Sequence, residues 1–399
     1  MNSHTLRTGL LSTVTAAVAV LAAAEARAQC PVTEVTSGLQ FPLGISQSNQ
    51  GNLLVSETGT LGVLHSGRIS ILDRSGNSRT LLDGLPSATN DVNEPAGPAG
   101  LFMRGRTLYV AIGIGDTIQA VGAGSVARIA NPNPSSPIFS SILAIHFSAA
   151  VEKVTAGFSL ATTDHQVLAN SEKLRLSNDD GDRIAIELIA NFPDFTPNPL
   201  PTFAANVRGV NPFDLVGIGD QLYVTDGGQN LVWQVDIPTG GFWVLTSFPN
   251  IANPLFNPTP PPPSLGGPFV EAVPTGIREF NGQLLVTLFR GFPFPPGTSV
   301  VEQIDPATGN HVPFITGLKA AIDVLPLTDD GETTDHLVLQ HASGPVLSGP
   351  GLLMRLQASG GPPIVITNCL NRPTSMTRDE KSGALFITEI VNGRVVVIR

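Results

Sequence analysis

The sequence predicts an all-β protein, a six-bladed β-propeller of four-stranded antiparallel blades in which the two chain ends share one closing blade. Three observations support this fold class. A short apolar strand motif recurs along the chain, and the units it defines contain further strands but no intervening helices. The chain also holds 41 Gly and 34 Pro in 399 residues, which is typical of a folded protein rich in turns.

The recurring motif is a five-residue apolar strand. Its copies are Leu53–Glu57, Leu108–Ile112, Leu222–Asp226, Leu284–Leu288, Leu337–His341 and Leu385–Glu389. Most copies begin about 50 to 60 residues after the previous one, a spacing typical of propeller blades. A second strand follows most of them, and a turn-like entry such as Pro42-Leu43-Gly44 precedes each unit. Because such units cannot bury both faces alone, they are expected to stack radially.

The chain ends predict the closure of the ring. The last unit, Thr374–Arg399, supplies three strands and then stops. The first segment after the N-terminal region, Val32–Leu39, has the pattern of a fourth strand. We therefore expect the N-terminal segment to complete the blade that the C-terminus begins.

One gap between strand copies is about twice as long as the others. We interpret most of it, residues 114–170, as an insertion in the second blade. Thr163-Asp164-His165-Gln166 matches a helix capping box and predicts a short helix there. A seventh blade centred near Gln166–Asn170 is the alternative. Asn178–Asp182 resembles a calcium loop but lacks the downstream glutamate, and it is interpreted as a hairpin turn.

The N-terminus has the pattern of an export signal. Arg7 precedes the apolar run Gly9–Ala24, which is too short for a stable membrane span, and Ala26-Arg27-Ala28 fits a cleavage site. We expect a signal peptide over 1–28, cleavage near Ala28, a propeller over 29–399 and secretion to the extracellular space or periplasm. In such a compartment the only two cysteines, Cys30 and Cys369, are expected to form a disulfide, with two unpaired thiols as the alternative.

The charge pattern restricts the partners. The formal net charge is −10, and the sequence has no basic block. Nucleic acid and anionic membrane surfaces are therefore disfavoured as partners. A small-molecule or protein ligand remains as the expected partner.

Strand alternation places a group of polar residues on one face, near the central channel. The predicted ligand-binding residues there are Glu57, Asn211, Asp226, Asp323 and Glu389. Among these, Glu57, Asp226 and Glu389 are the candidate metal ligands, and oxygen ligands of this kind would suit Ca²⁺. His341 as a base and Arg290 as the clamp of a quinone cleft are the catalytic candidates. The alternative is that these are the ordinary polar loop ends of any propeller.

Several segments resemble the ScyD/ScyE family, exported β-propeller proteins of the NHL/TolB-like six-bladed type. They are Val273–Ile277, Gly282–Val286, Gly291–Gly297, Gly97–Leu101, Leu108–Gly113 and Asn211–Phe213. The resemblance covers most of the chain after Pro31. It implies export and a propeller fold, and it brings no catalytic residues to this sequence.

Two functions follow from these observations. The first is a secreted ligand-binding or scaffold propeller that recognises its partner at the acidic face around the channel. The alternative is an enzyme, either a metal-assisted lactonase or lyase, or a quinone-dependent sugar dehydrogenase. The sequence leaves open whether the protein is catalytic.

Overall fold

A computed structural model of the protein describes residues 30–122, 125–259, 264–329 and 332–399. The predicted signal peptide, residues 1–28, lies outside these ranges. The chain divides into the segment Met1–Cys30 and a compact unit, Pro31–Arg399, which contains all the strands described below.

Six four-stranded antiparallel blades form the compact unit, which confirms the predicted fold and blade number. The first strand of each blade is innermost, and each first strand contacts the first strands of the two neighbouring blades. From first to fourth strand the blades are as follows: blade 1, Pro42–Gln47, Leu53–Glu57, Gly67–Leu72 and Ser78–Leu85; blade 2, Pro98–Arg104, Thr107–Ile112, Ser141–Phe147 and Arg183–Asn191; blade 3, Pro212–Ile218, Gln221–Asp226, Leu231–Asp236 and Phe242–Ser247; blade 4, Pro274–Phe280, Gln283–Leu288, Ser299–Ile304 and His311–Leu318; blade 5, Ala321–Asp329, Glu332–Gln340, Gly351–Gln357 and Ile364–Leu370; blade 6, Pro373–Arg378, Leu385–Glu389, Arg394–Ile398 and Thr33–Ser37.

The closing blade has the predicted composition. Three C-terminal strands pair in order, and Thr33–Ser37 adds to the last of them in antiparallel register, with Thr33 opposite Val397 and Ser37 opposite Arg394. The N-terminal strand is therefore the outer strand of blade 6.

The additional residues of blade 2 lie before and after its third strand, whereas a single insertion was predicted over 114–170. The third strand, Ser141–Phe147, lies inside the predicted insertion, and its apolar residues pair with the second strand of the blade. Helices Ala149–Val154 and Thr162–Ala169 follow it. The second is the predicted helix, although its first backbone N–H, that of Ala161, is capped by Asp164 instead of by a Thr163–Gln166 box.

Two short strands extend blades 1 and 2. Phe158–Ser159 pairs in parallel with the outer strand of blade 1, and Leu174–Ser177 adds a fifth strand to blade 2. The segment Asn178–Asp182 forms the predicted hairpin turn, in which Asn178 Oδ1 accepts the Asp182 N–H at 2.9 Å. The remaining short elements are the strand pairs Ala88–Thr89 with Pro95–Ala96, Ile118–Ala120 with Arg128–Ala130, Phe195–Pro197 with Val207–Gly209, Ile251–Ala252 with Phe269–Val270, and the 3₁₀ turn Pro345–Leu347.

The second strands are continuous apolar runs because neighbouring blades cover both of their faces. Every residue of Leu53–Glu57, for example, is buried. The fourth strands are only partly covered, and Phe242–Ser247 exposes the side chains of Trp243 and Val244. The core thus lies between adjacent blades, as in the cluster that joins Ile142 of blade 2 to Val224 of blade 3.

The segments predicted as turn-like entries are instead the first residues of the innermost strands. Pro42 pairs with Glu57, and a register shift follows before Ile45 pairs with Val55. A comparable β-bulge interrupts the start of the first strand in every blade. Proline is compatible with the first residue of a strand, and a bulge redirects the side chains that follow it.

Both cysteines, Cys30 and Cys369, are disulfide-bonded, and the chain contains no other cysteine. Among the described residues, no helix is long and apolar enough to cross a membrane.

The two faces of the propeller differ in their connections. Loops between second and third strands, together with the connections between blades, emerge on one side, which we call the loop face. Its long segments are 58–66, 86–97, 113–140, 192–211, 248–273, 289–298 and 341–350. The opposite side, the turn face, carries mostly short turns, such as the one between Arg104 and Thr107.

Candidate functional site

The three predicted carboxylates occupy equivalent places, each as the last residue of a second strand. Glu57, Asp226 and Glu389 accept the backbone N–H groups of Gln40 at 2.5 Å, Asn211 at 2.9 Å and Asn371 at 2.7 Å, respectively. Each donor lies one or two residues before the first strand of the same blade. The carboxylates therefore anchor the connection that enters their own blade.

A side chain of the same blade binds each of these carboxylates as well. Ser70 Oγ donates to Glu57, the Trp233 indole N–H donates to Asp226 at 2.9 Å, and Arg394 Nε donates to Glu389 at 2.6 Å. All three carboxylates are at most 1% exposed. Burial raises the pKa of Asp226, and the hydrogen bonds that it accepts oppose this effect.

Blade 5 achieves the same anchoring with an amide. Gln340 ends its second strand and accepts the Lys319 N–H at 2.5 Å. Blades 2 and 4 have Ile112 and Leu288 at the equivalent position. A structural role in the repeat is thus sufficient to explain the polar residues at these strand ends.

The structure does not bring Glu57, Asp226 and Glu389 together as ligands of one cation. They belong to blades 1, 3 and 6, and each is occupied within its own blade. In the part of the chain that is described, no group of three or more His, Cys, Asp or Glu side chains could hold a metal ion. The arrangement therefore offers no Ca²⁺ site built from these residues.

Asn211 also supports the connections at the loop face. Its side-chain oxygen accepts the backbone N–H of Ile114 from blade 2 at 3.0 Å, while its own N–H binds Asp226. Adjacent Gly113 fits tightly here, because a Cβ at this residue would lie 2.9 Å from the Asn211 oxygen. Asn211 thus joins blades 2 and 3.

His341 and Arg290, the catalytic candidates, follow the second strands of blades 5 and 4. His341 is buried and donates its Nδ1–H to the Pro373 carbonyl at 2.9 Å. Burial lowers the pKa of His341 to about 4, with the Arg372 charge acting in the same direction. Its imidazole is neutral near pH 7 and is a weak base. Arg290 is 7% exposed and donates Nε–H to the Thr298 carbonyl at 3.0 Å.

Position three of each innermost strand lies beside the β-bulge and lines the central channel. The six residues, in blade order, are Gly44, Gly100, Asp214, Gly276, Asp323 and Ser375. Four are small, so that six strands can approach one another closely. A Cβ added at Gly100, for example, would lie 2.4 Å from Asp214 Cα.

An ionic triad crosses this channel. Arg278, from the innermost strand of blade 4, donates to Asp214 of blade 3 and to Asp323 of blade 5, each at 2.7 Å. Asp214 also accepts the Ile277 N–H at 3.2 Å, and Asp323 accepts the Met376 N–H of blade 6 at 2.9 Å. Burial raises the pKa of Asp323, an effect that the Arg278 charge opposes and the Asp214 charge supports.

Asp214, Asp323 and the small residues line a cavity of about 10 Å³ in the channel, enough for one water molecule. Asp323 was expected at the ligand-binding rim, and the structure places it inside the channel, paired with Arg278. Asp214 and Arg278 were not predicted. The sequence did contain a signal, because Asp214 occupies the position at which blades 1, 2 and 4 have glycine. Its meaning depends on the β-bulge, which the sequence does not show.

The side chains exposed on the loop face are more often apolar than acidic. Most of the exposed large apolar side chains of the described residues lie in its loops: Leu61, Val63, Leu64, Val92, Val121, Val126, Phe256, Leu265, Phe269, Phe292, Val346 and Val391. The loops 289–298 and 341–350 contain only one Lys, Arg, Asp or Glu residue, the buried Arg290. An extended exposed apolar surface is characteristic of interaction sites.

No family model matches the chain, and no curated protein sequence matches it. One similar solved structure is a gluconolactonase from Xanthomonas campestris, with 12% identity, a TM-score of 0.46, and coverage of 92% of this chain and 88% of the other. A second is the nidogen/laminin complex, with 10% identity, a TM-score of 0.41, and coverage of 84% and 97%. Similarity at this level carries no argument about function, because a propeller fold serves many unrelated functions.

Proposed function

We propose that this protein is a secreted ligand-binding or scaffold propeller that recognises its partner through the loop face. The observation that carries the proposal is the concentration of long loops and exposed apolar side chains on that face. The three carboxylates that suggested a metal site at this rim, Glu57, Asp226 and Glu389, are engaged in hydrogen bonds within the fold. Recognition by the loops therefore explains more of the surface than chemistry at the strand ends does.

Contacts between loops support a shared recognition surface on blades 4 and 5. The Val346 N–H donates to the Pro293 carbonyl at 2.9 Å, which joins 341–350 to 289–298. Gly266 approaches Pro293 and Phe292 so closely that a Cβ would lie 2.9 Å from the Pro293 ring. Loop 248–273 therefore contacts 289–298 as well. Loop 289–298 therefore contacts two other loops at this part of the loop face.

Export is part of the same proposal. Two disulfide-bonded cysteines are typical of an oxidising compartment, and the pattern of residues 1–28 is that of a signal peptide. The resemblance to the ScyD/ScyE proteins supports export of a propeller of this kind.

The proposal is tested by binding of the exported protein to arrays of defined saccharides and peptides. Protein recovered from the periplasm or medium is first weighed by mass spectrometry, and we expect a chain that begins near Gln29. A loop-face variant then combines Phe269→Ser, Phe292→Ser and Val346→Ser. We expect at least one array ligand to bind the natural protein and to be lost in this variant, because the exposed apolar contact area is removed.

The matched control removes three comparable side chains from the outer strands, by Trp243→Ser, Val312→Ser and Ile364→Ser. These residues are 46%, 59% and 45% exposed, against 65%, 55% and 51% for Phe269, Phe292 and Val346. The control should keep the binding. Equal loss in both variants, or no binding by the natural protein to any array ligand, would count against recognition by the loop face.

A further inference from the structure

Arg290 of the loop face carries a positive charge whose partner is not apparent from the contacts described above. Its side chain is 7% exposed, and its only hydrogen bond to a described residue is from Nε to the Thr298 carbonyl. The two terminal nitrogens have no partner among the described residues, and neither is among the fully buried polar atoms that lack one. Both therefore retain an opening to solvent.

No carboxylate of the described chain lies within 4.0 Å of this guanidinium. Two acidic residues in the surroundings of Arg290 are already engaged. Glu302, which acts on the Arg290 charge, contacts His311 Nδ1 at 3.1 Å. Glu271, on the loop beside Gly291, pairs with Arg208 at 3.1 Å. Burial accordingly lowers the pKa of Arg290, with only Glu302 acting against it.

A buried charge without a counterion is costly, and proteins rarely keep one without a use for it. Arg290 also has a left-handed backbone, with φ of 74°, which is unfavourable for a residue with a side chain. Its N–H is fixed to the Ala272 carbonyl at 3.0 Å. The fold thus holds a strained residue in place and leaves its charge open, which is the arrangement expected for an anion-binding group.

The surroundings of Arg290 define the rest of the ligand. Phe292 is 55% exposed, and its ring centroid lies 6.1 Å from that of Phe294. Val346 of blade 5 is exposed and is bound to the same loop. The ring centroid of His341 lies 5.7 Å from that of Phe289, the residue before Arg290. The loop that carries Arg290 therefore also carries the exposed Phe292 and is bound to the loop that carries Val346.

We propose that Arg290 binds the carboxylate of a small ligand whose aromatic or aliphatic body packs on Phe292 and Val346. The planar guanidinium suits a carboxylate, because its two terminal nitrogens can donate to both oxygens. This inference rests on the proposed function, since Arg290 belongs to the loop face. It adds the chemical class of the ligand.

The test uses benzoate as the probe and measures its dissociation constant for the full mature protein by calorimetry. Benzyl alcohol lacks the charge and acetate lacks the ring, so both should bind about tenfold more weakly or worse. Arg290→Met should weaken benzoate binding at least about tenfold, and Arg290→Lys should weaken it less, because a point charge remains. Phe292→Ser should weaken benzoate but leave acetate unchanged.

Arg104→Met is the matched control. Arg104 lies at the turn face, and its side chain is 46% exposed. The substitution therefore removes one positive charge at a place away from the proposed site. Benzoate binding equal to that of the natural protein is expected for this variant. Absence of saturable benzoate binding, or the same loss in Arg104→Met and Arg290→Met, would overturn the proposal.

Thermal melting separates a binding role from a structural one. Because Arg290→Met removes an uncompensated charge, it should melt at or above the temperature of the natural protein. Melting several degrees lower, with benzoate binding retained, would assign Arg290 to the fold. Array binding that depends on Phe269, Phe292 and Val346, without benzoate binding, would reject the anion site and leave the proposed function intact.

Discussion

The buried His341 shows how the environment of a residue sets its protonation state and its role. His341 was a candidate base because it follows a second strand at the loop face. The structure makes it a neutral hydrogen-bond donor to Pro373, at 2.9 Å, in a contact with Phe289. A group with a pKa of about 4 accepts protons poorly near pH 7. Its measurable consequence is therefore on stability.

The first prediction concerns pH. In the unfolded chain His341 takes up a proton near pH 6.5, whereas in the folded protein it does so only near pH 4. The unfolded state thus binds more protons between these values, and the free energy of unfolding falls as the pH decreases through this window. Denaturant unfolding at about pH 7.5 and about pH 5 should show a loss of about 2 kcal/mol from this residue.

His341→Gln provides the comparison, because glutamine can donate to the Pro373 carbonyl and does not titrate. The stability difference between natural protein and variant should narrow on acidification by the amount assigned to His341. Parallel loss of stability in both proteins would instead assign the pH dependence to other groups.

Residue types could be predicted from the sequence, but their partners could not. The strand ends with Glu57, Asp226 and Glu389 were found from the repeat, and their equivalence between blades is confirmed. Their role was not predictable, because the N–H groups that they bind belong to connections whose path depends on the neighbouring strand. The Asp214–Arg278–Asp323 triad was missed for a similar reason, since three blades must be assembled before it exists.

At the scale of elements, hydroxyl groups join neighbouring blades. The next-to-last residues of four second strands are Ser56, Thr225, Thr287 and Thr388. Thr225 Oγ1 lies 2.5 Å from the Thr275 carbonyl of the next blade and accepts the Asp214 N–H of its own blade at 3.0 Å. Blades 2 and 5 have Ala111 and Leu339 instead. The sequence showed this position of the repeat without its contact, because the next blade supplies the partner.

Thr225→Val tests this contact between elements. Valine keeps the shape of threonine but leaves the Thr275 carbonyl and the Asp214 N–H buried without that partner. The free energy of unfolding should fall by about 1–3 kcal/mol, as measured by denaturant unfolding. Thr202→Val, at an exposed residue, should change it by less than about 0.5 kcal/mol. A small effect at Thr225 similar to that at Thr202 would show that the blades do not depend on this hydroxyl.

For the whole molecule, the important feature is how six strands close around one axis. Shape alone was predictable, because an apolar strand repeated at regular spacing must stack with its neighbours and close through the shared blade. The side chains that occupy the central channel were not predictable, since the β-bulges decide which side chains point inwards. Glycine and serine provide the close approach, and the ionic triad links blades 3, 4 and 5 at the centre.

Arg278 should therefore be among the residues on which ring closure depends. Arg278→Met leaves Asp214 and Asp323 facing each other without a countercharge, and their side chains are only 9% and 1% exposed. The free energy of unfolding should fall by about 3–5 kcal/mol, and soluble yield should fall with it. Combining Arg278→Met with Asp214→Asn and Asp323→Asn removes all three charges and keeps acceptors for the Ile277 and Met376 N–H groups. This triple variant should recover much of the lost stability, because the cost of Arg278→Met comes from stranded charges and not from a missing contact. A triple variant as unstable as the single one would show instead that the guanidinium is needed for packing in the channel.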